Sequence, residues 1–300
     1  MIKKKLKINM ADPHFKKSDI DYIISKTKNM INVNLSLGKN VRTFEKKFAK
    51  YIGCKYAIAT SSCTSALEIA LQAVCREGDE VIIPSQTFVA TAMAVYLSKL
   101  RIQFVEISKE DFCINFNDLK KKITRKTKAI VLVHFAGTVS ADFDKIKKLC
   151  SDKKIFLIED AAHSLGAKHN QVMSGSLGDA GCFSFYPTKI LTTGEGGMIT
   201  TNSINIAKFA KSMQLRGRDL SKTKEEYIYP GRNIRMQEFS AILGLCQLKK
   251  INIFLKKRRS IAKIYKKKFT LCKNIFLVSP KKINQSSFWK IPILIDSDYN

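Results

Sequence analysis

The sequence predicts an α/β protein whose mostly parallel, seven-stranded sheet lies between two layers of helices. Short apolar runs alternate with stretches of helical spacing from residue 56 onwards, which is the pattern of parallel strands joined by crossover helices. Several runs are apolar throughout, as in strands that are buried on both faces. Polar residues follow the runs where the strands would end, and open α/β sheets bind ligands at that edge.

The predicted elements begin with an N-terminal arm and two helices. Ser18 is the expected N-cap of the first helix, and residues 41–52 have the helical spacing of the second. The strands are expected at 56–60, 81–84, 103–107, 129–135, 155–158, 182–185 and from 198 onwards. The helices between them are expected at 64–75, 88–97 and 142–150.

The pattern becomes helical after residue 201, with one helix expected at 204–214 and one long helical segment at 237–271. Residues 288–295 read F-W-K-I-P-I-L-I and predict one strand of a smaller domain. One strand cannot bury the apolar face of a domain alone. We therefore expect a large α/β domain at 1–240 and the start of a small α+β domain at 241–300, truncated at the last residue.

The formal net charge of +28 is compatible with nucleic-acid binding. However, 43 of the 53 basic residues are lysines spread over the whole chain, which indicates a compositional bias and a solvated basic surface. No nucleic-acid partner is expected. In such a chain the ten arginines are informative, and four of them lie between residues 216 and 235, where planar recognition of phosphate or carboxylate would use them.

The eight cysteines form no C-x-x-C pair, so no metal site is expected, and most of them are predicted to be small core residues in a reducing compartment. The N-terminus lacks the apolar stretch of a signal peptide. No run approaches the roughly 18–20 apolar residues of a membrane span. The expected location is cytoplasmic, without a membrane partner.

The most informative stretch is 155–200. Its first apolar run ends at Asp160, and its second run is followed by Lys189 and a glycine-rich turn. A lysine and an aspartate in one pocket suit pyridoxal phosphate, because the amine can attach the cofactor aldehyde covalently and the carboxylate can keep the pyridine nitrogen protonated.

This stretch resembles the DegT/DnrJ/EryC1/StrS family of pyridoxal-phosphate-dependent sugar-nucleotide aminotransferases. The motifs E-D-A-A-H at 159–163 and S-F-Y-P-T-K at 184–189, followed by G-E-G-G, match those of the family. The resemblance covers about residues 41–295. It implies the aspartate aminotransferase-like fold of pyridoxal-phosphate-dependent transferases.

The resemblance implies roles for the residues around the cofactor ring. Lys189 would attach the cofactor, Asp160 would face the pyridine nitrogen, His163 would lie near the ring and its O3′, and Phe88 would stack on the ring. The competing interpretations are ordinary structural ones. Lys189 could be a surface lysine, and Asp160 could cap a helix. His163 could be a structural histidine with its hydrogen bonds made within the fold, and Phe88 could be a core residue.

Other residues would hold the cofactor phosphate. The turn S-S-C-T-S at 61–65 leads into a predicted helix, where the amides of Cys63 and Thr64 and the hydroxyl of Thr64 would bind an anion, together with Ser184. Cys63 replaces the family's small residue. A thiol at a helix N-terminus is expected to have a lowered pKa and to be sensitive to alkylation, although a silent replacement is the favoured interpretation. Asn233 would reach the phosphate of the neighbouring subunit in a homodimer.

Several residues have weaker assignments. One or two of the arginines Arg216, Arg218, Arg232 and Arg235 are candidates for contacting an acidic substrate, although structural roles explain them equally well. Glu195 is a candidate substrate contact. His134 either lines the pocket or is a core histidine.

The resemblance implies an aminotransferase that moves an amino group, with glutamate as the expected donor, to a nucleotide-linked keto-sugar. Family members with histidine in place of Lys189 are dehydratases. Two alternatives remain open: a family member that makes an aromatic amine by dehydration, and a non-catalytic, truncated remnant that binds cofactor.

Overall fold

The computed structural model describes residues 13–28, 30, 34–280 and 282–296 of the chain. The strands in this part are β1 (Tyr56–Thr60), β2 (Glu80–Pro84), β3 (Arg101–Val105), β4 (Thr127–Val133), β5 (Phe156–Asp160), β6 (Lys168–His169), β7 (Val172–Met173), β8 (Ala180–Ser184), β9 (Gly197–Thr201), β10 (Ile275–Leu277) and β11 (Ile293–Ile295).

Seven of these strands form one sheet in the order β1-β9-β8-β5-β4-β2-β3. The pairs from β8 through β5, β4 and β2 to β3 are parallel, and β9 runs antiparallel to both of its neighbours. The mostly parallel, seven-stranded sheet is confirmed. Its parallel strands place their carboxyl ends at one edge, where Asp160 ends β5 and Ser184 ends β8.

Helices cover both faces of this sheet, as predicted. They are α1 (Lys17–Lys28), α2 (Lys39–Ile52), α3 (Cys63–Gln72), α4 (Val89–Leu97), α5 (Phe116–Lys122), α6 (Phe143–Lys153), α7 (Ile204–Gln214), α8 (Glu238–Leu248) and α9 (Ile251–Phe269). Helix α5 was not predicted. Its N-cap Asn115 accepts hydrogen bonds from the amides of Asn117 and Asp118, which is a local signal for a helix start.

Alternate residues of each strand point to opposite faces, so neighbouring residues enter different cores. Val81 and Ile83 of β2 pack with α3, α4 and α7, whereas Ile82 packs with α5 and α6. A third cluster joins β1, β8 and β9 to α2, α8 and α9, and its centre is a group of phenylalanine rings that includes Phe48 and Phe183, with centroids 5.0 Å apart. The sheet is therefore buried on both faces.

The predicted long helix at 237–271 is wrong in one respect, because two helices form with a break at Lys249 and Lys250. Both residues form a turn, in which Lys250 is the N-cap of α9 at φ −105° and ψ −1°, and the amine of Lys250 pairs with Asp19 of α1. Leu245 before the break and Leu255 after it lie in the same core. No observation tests the predicted domain boundary at residue 240, and it stays a prediction.

The predicted strand at 288–295 is shorter than expected, since only Ile293–Ile295 pairs, antiparallel to β10. Phe288 is buried with φ +48°, outside the extended region. The guanidinium of Arg258 donates to the carbonyls of Phe288 and Trp289. The carbonyls of Phe288 and Trp289 therefore form hydrogen bonds with a side chain and not with a neighbouring strand. Because Trp289 is not part of a sheet, its ring can contact residues at the carboxyl edge of the large sheet.

Candidate active site

Lys189 lies in the turn after β8, where its amide donates to the carbonyl of Tyr186 at 2.9 Å. Its Nζ stands 4.2 Å from the ring centroid of Trp289, and the indole N–H of Trp289 donates to the carbonyl of Thr188 at 2.7 Å. Burial lowers the pKa of Lys189 below its ordinary value and outweighs Cys63 and Asp160, which oppose the shift, while the positive charge of Lys290 acts in the same direction as burial. The amine is therefore held in place and can lose its proton more readily than a surface lysine.

Asp160 ends β5 with only 6% of its surface exposed. Its Oδ2 accepts a hydrogen bond from the Thr91 hydroxyl at 2.8 Å, and its Oδ1 accepts from the Ala162 amide at 3.2 Å. Burial raises the pKa of Asp160 above its ordinary value, whereas the two hydrogen bonds and the charge of Lys189 oppose that rise. The structure brings Asp160 and Lys189 into one electrostatic environment, as predicted.

His163 follows Asp160 on the turn after β5. Its ring stacks on Trp289 with centroids 3.8 Å apart and planes inclined by 15°. Burial lowers the pKa of His163 to about 3, with further contributions from Lys189 and Lys290, so the ring is neutral at physiological pH. Its buried Nδ1 has no hydrogen-bond partner among the described residues. An unpaired buried nitrogen is costly, and a ligand oxygen would satisfy it.

Helix α3 begins beside these residues. Its N-cap Ser62 accepts a hydrogen bond from the Ser65 amide at 3.1 Å. The amides of Cys63 and Thr64 in the first turn have no carbonyl partner within the helix, and together with the helix dipole they favour an anion. Gly197 is required here, because a Cβ on it would lie 2.4 Å from the Ser62 carbonyl carbon.

Ser184 is the strand partner of Gly197 across the β8–β9 pair. Because Gly197 touches the start of α3, Ser184 lies close to the same helix N-terminus. The residues predicted to hold a phosphate therefore converge in the structure, although no observation tests that role.

The expected low pKa of Cys63 is wrong. Burial raises the pKa of the Cys63 thiol well above its ordinary value, and the negative charge of Asp160 adds to the rise, whereas Lys189 opposes it. The position of Cys63 at a helix N-terminus did not reveal that this half-buried thiol lies near the negative charge of Asp160. Desolvation of the thiolate outweighs the helix dipole here.

We expect Cys63 in the cofactor-free protein to react with iodoacetamide at least about tenfold more slowly than Cys272, because the thiolate is the reactive form and Cys272 is exposed. Labelling at pH 8, with peptide mass spectrometry at timed intervals, measures both sites in one sample. Equal rates at the two cysteines would contradict this prediction.

Phe88 is the N-cap residue of α4, and its carbonyl accepts from the amide of Thr91, the residue that holds Asp160. Its side chain is 71% exposed, so the alternative interpretation as a core phenylalanine is wrong, and the ring is available for stacking. Asn233 is also exposed, and the neighbouring Ile234 carbonyl accepts from the Ser61 amide at 3.0 Å.

The weaker candidates separate into two groups. Arg232 pairs with Glu68 at 2.8 Å and Arg218 with Glu225 at 3.2 Å, which favours structural roles for both arginines. His134 is fully buried, and its Nε2 lies 2.8 Å from Glu159, which identifies it as a core histidine. The remaining candidates are Arg216, Arg235 and Glu195, and their proposed contacts with substrate stay predictions.

Two residues near the site were missed in the sequence. Thr91 lies one helical turn after Phe88, in the helix expected at 88–97, but only the fold shows that its hydroxyl lies beside Asp160 and donates to it. Trp289 is the single tryptophan of the chain. Its rarity was a usable signal, whereas its position against Lys189 and His163 depends on how the C-terminal segment packs.

These residues fit pyridoxal phosphate. The chain offers an amine of lowered pKa, a buried carboxylate, a neutral histidine with an unpaired nitrogen and a helix N-terminus that a glycine leaves accessible. On the mostly parallel sheet described above, this combination defines a pyridoxal-phosphate-dependent aminotransferase.

The chain belongs to the DegT/DnrJ/EryC1/StrS aminotransferase family, whose model matches residues 19–300. It is 38% identical over 266 residues to the GDP-perosamine synthase of Caulobacter vibrioides, a match that covers 87% of this chain and 70% of that protein. It is 39% identical over 245 residues to the spore coat polysaccharide biosynthesis protein SpsC of Bacillus subtilis, covering 78% of this chain and 63% of that protein.

Solved structures agree with this assignment. The aminotransferase PseC of Helicobacter pylori, which is involved in the biosynthesis of pseudaminic acid, superposes with a TM-score of 0.88 at 29% identity, covering 97% of this chain and 78% of that one. A GDP-4-keto-6-deoxymannose-3-dehydratase with a trapped PLP–glutamate adduct superposes with a TM-score of 0.89 at 27% identity, covering 97% and 80%. The predicted family, fold and cofactor are confirmed.

Proposed function

We propose that this protein transfers an amino group from glutamate to a nucleotide-linked keto-sugar in polysaccharide biosynthesis. The observation that carries the proposal is the position of the Lys189 amine. This amine lies beside Trp289, burial lowers its pKa, and its charge acts on the buried carboxylate of Asp160. The names of the relatives support the substrate class, since they include a GDP-perosamine synthase and a UDP-linked amino-sugar transaminase of Campylobacter jejuni.

Bound pyridoxal phosphate supplies a carbonyl for covalent attachment and a ring that accepts an electron pair. In our proposal Lys189 Nζ would attach the cofactor, and, once the donor amine has displaced it, the free amine would take the proton from the Cα of the donor. A lowered pKa suits this role, because a neutral amine acts as a general base near neutral pH. The Asp160 carboxylate would face the pyridine nitrogen and keep a proton on it.

The other predicted residues would orient the cofactor. His163 Nδ1 would pair with the ring oxygen, and Phe88 would cover one face of the ring. The Cys63 and Thr64 amides, the Thr64 hydroxyl and Ser184 would hold the phosphate at the start of α3. This arrangement gives the buried, unpaired Nδ1 of His163 a partner and uses the free amides at the start of α3.

We further propose a homodimer in which Asn233 reaches the phosphate of the neighbouring site. An exposed apolar face supports self-association, since Phe88, Val89, Tyr96 and Leu97 at α4 are 71%, 62%, 68% and 40% exposed. Such a concentration of large apolar side chains marks an interaction surface.

Among the described residues, no helix combines the length and the apolarity of a membrane span. The eight cysteines are free thiols, which fits the proposed cytoplasmic location.

Absorbance spectroscopy with the amino donor tests the proposal. We expect the purified chain with pyridoxal phosphate to show the visible band of a lysine-linked cofactor, and we expect L-glutamate to remove this band. α-Methylglutamate, which lacks the Cα proton, is the matched control and should not convert the cofactor to its aminated form. A band that forms but does not respond to glutamate would contradict the proposed donor. A band that responds to no amino donor would favour a cofactor-binding remnant without catalytic function, and absence of the band would contradict covalent attachment through Lys189.

The acceptor is tested separately, with the aminated form of the cofactor. A nucleotide-linked keto-sugar should restore the visible band and gain an amine, detected by mass spectrometry. If only a cyclic keto-acid restored the visible band, and did so with loss of water, the result would instead support a family member that makes an aromatic amine by dehydration. A 32% identical relative from Yersinia pseudotuberculosis is a GDP-4-keto-6-deoxy-D-mannose 3-dehydratase, so loss of water from the sugar is also measured.

A further inference from the structure

Two threonine hydroxyls lead to the Asp160 carboxylate. Thr91 Oγ1 lies 2.8 Å from Asp160 Oδ2, and Thr87 Oγ1 lies 2.7 Å from Thr91 Oγ1. Thr91 is 1% exposed and Asp160 is 6% exposed, whereas Thr87 is half-buried. The chain of hydroxyls therefore runs from a partly solvated position to a buried carboxylate.

The direction of the hydrogen bonds follows from the chemistry of the groups. An ionised carboxylate only accepts, and a threonine hydroxyl has one hydrogen to donate. Thr91 donates that hydrogen to Asp160, so it accepts the hydrogen of Thr87. Each donor in such a series polarises the next one and strengthens the bond to the charged acceptor.

Helix α4 fixes the geometry of this series. Thr91 lies in its first turn, where its amide donates to the Phe88 carbonyl at 3.0 Å, and a β-branched side chain has few rotamers in a helix. The hydroxyl is therefore aimed at Asp160 by the backbone. Asp160 itself is fixed by the end of β5, so helix and strand together set the orientation of the carboxylate.

We propose that Thr87 and Thr91 form a hydrogen-bond relay that orients the Asp160 carboxylate towards the pyridine nitrogen of the cofactor and keeps it ionised. Both threonines are positioning residues. The inference rests on the proposed role of Asp160. Without the Thr91 hydroxyl, the buried carboxylate loses a donor that favours its charged form.

The test compares pyridoxal phosphate with its 1-deaza analogue, in which carbon replaces the pyridine nitrogen. Thr91→Val keeps the shape of the side chain and removes the hydroxyl, and Thr91→Ser is the matched control that restores it. Affinities are measured by quenching of the single Trp289. We expect Thr91→Val to weaken binding of pyridoxal phosphate about tenfold, the size of one hydrogen bond to a charged group, and to leave analogue binding within about twofold. Thr91→Ser should resemble the unchanged protein.

Equal weakening for the cofactor and its analogue would overturn the inference, because it would show a purely structural role for Thr91. No weakening for either ligand would also overturn it. Thr87→Ala changes the half-buried end of the relay. It should weaken binding of pyridoxal phosphate by less than Thr91→Val does and should also leave binding of the analogue unchanged. This variant tests the inference if Thr91→Val does not fold. An Asp160→Ala protein that still preferred pyridoxal phosphate to the analogue as strongly as the unchanged protein does would refute the proposed role of Asp160 itself.

Discussion

A Lys189→Ala protein is expected to lose the visible absorbance of the lysine-linked cofactor and to lose transamination by at least about 10³-fold. In the proposed function this amine both attaches the cofactor and moves the proton, and general acid–base catalysis alone contributes about 10²–10⁴-fold. No other described amine has the same position, since Lys290, which also lies over Trp289 at 4.5 Å, is exposed. Absorbance spectra and product formation measure both losses.

Two controls make this experiment specific. Lys189→Arg keeps the positive charge but cannot form the covalent link, and it should also lack the visible band. Lys290→Ala should keep the band, because it removes only the neighbouring amine. Quenching of Trp289 fluorescence shows whether the variants still bind cofactor without a covalent bond, since Trp289 lies 4.2 Å from Lys189 Nζ. A Lys189→Ala protein that retained the band would refute the assignment.

The second large effect is on stability, at Glu159. A Glu159→Ala protein is expected to lose at least about 3 kcal/mol of unfolding free energy. The carboxylate is fully buried and accepts hydrogen bonds from the amides of Gly175, Leu177 and Gly178, each at 2.7 Å, while His134 lies at 2.8 Å. Each buried donor left unpaired costs about 1–3 kcal/mol, and the lost side chain leaves a cavity besides.

Urea unfolding followed by circular dichroism measures this effect, with the midpoint and slope compared between variants. Glu195→Ala is the matched control, because Glu195 is exposed and its removal should change the unfolding free energy by less than about 0.5 kcal/mol. A loss below about 1 kcal/mol for Glu159→Ala would show that water replaces the carboxylate, contrary to the structure. Glu159 lies beside Asp160, so this network also supports the turn that carries the site.

Much of the fold could be predicted because burial on both faces leaves a direct trace in the sequence. The bounds expected for β1 and α7 are those of the structure. The errors lie where the chain leaves regular structure for a tertiary reason. The break at Lys249 and Lys250 depends on a shared core and on Asp19, and the conformation of Phe288 depends on contacts with Arg258. Neither partner is close in sequence.

The site divides in the same way. The residue types in two motifs and a helix start were sufficient to name Lys189, Asp160 and the phosphate-binding turn as candidates and to identify the family, because this chemistry needs those side chains at strand ends. Only the tertiary structure decided what surrounds them. In the structure, Thr91 donates a hydrogen bond to Asp160 and the ring of Trp289 lies beside the Lys189 amine. The pKa of Cys63 is raised, whereas the sequence led us to expect a lowered one. Charge, hydrogen bonding and desolvation depend on neighbours that are distant along the chain. The sequence by itself therefore determined the candidate reacting groups, and the packing determined their protonation and orientation.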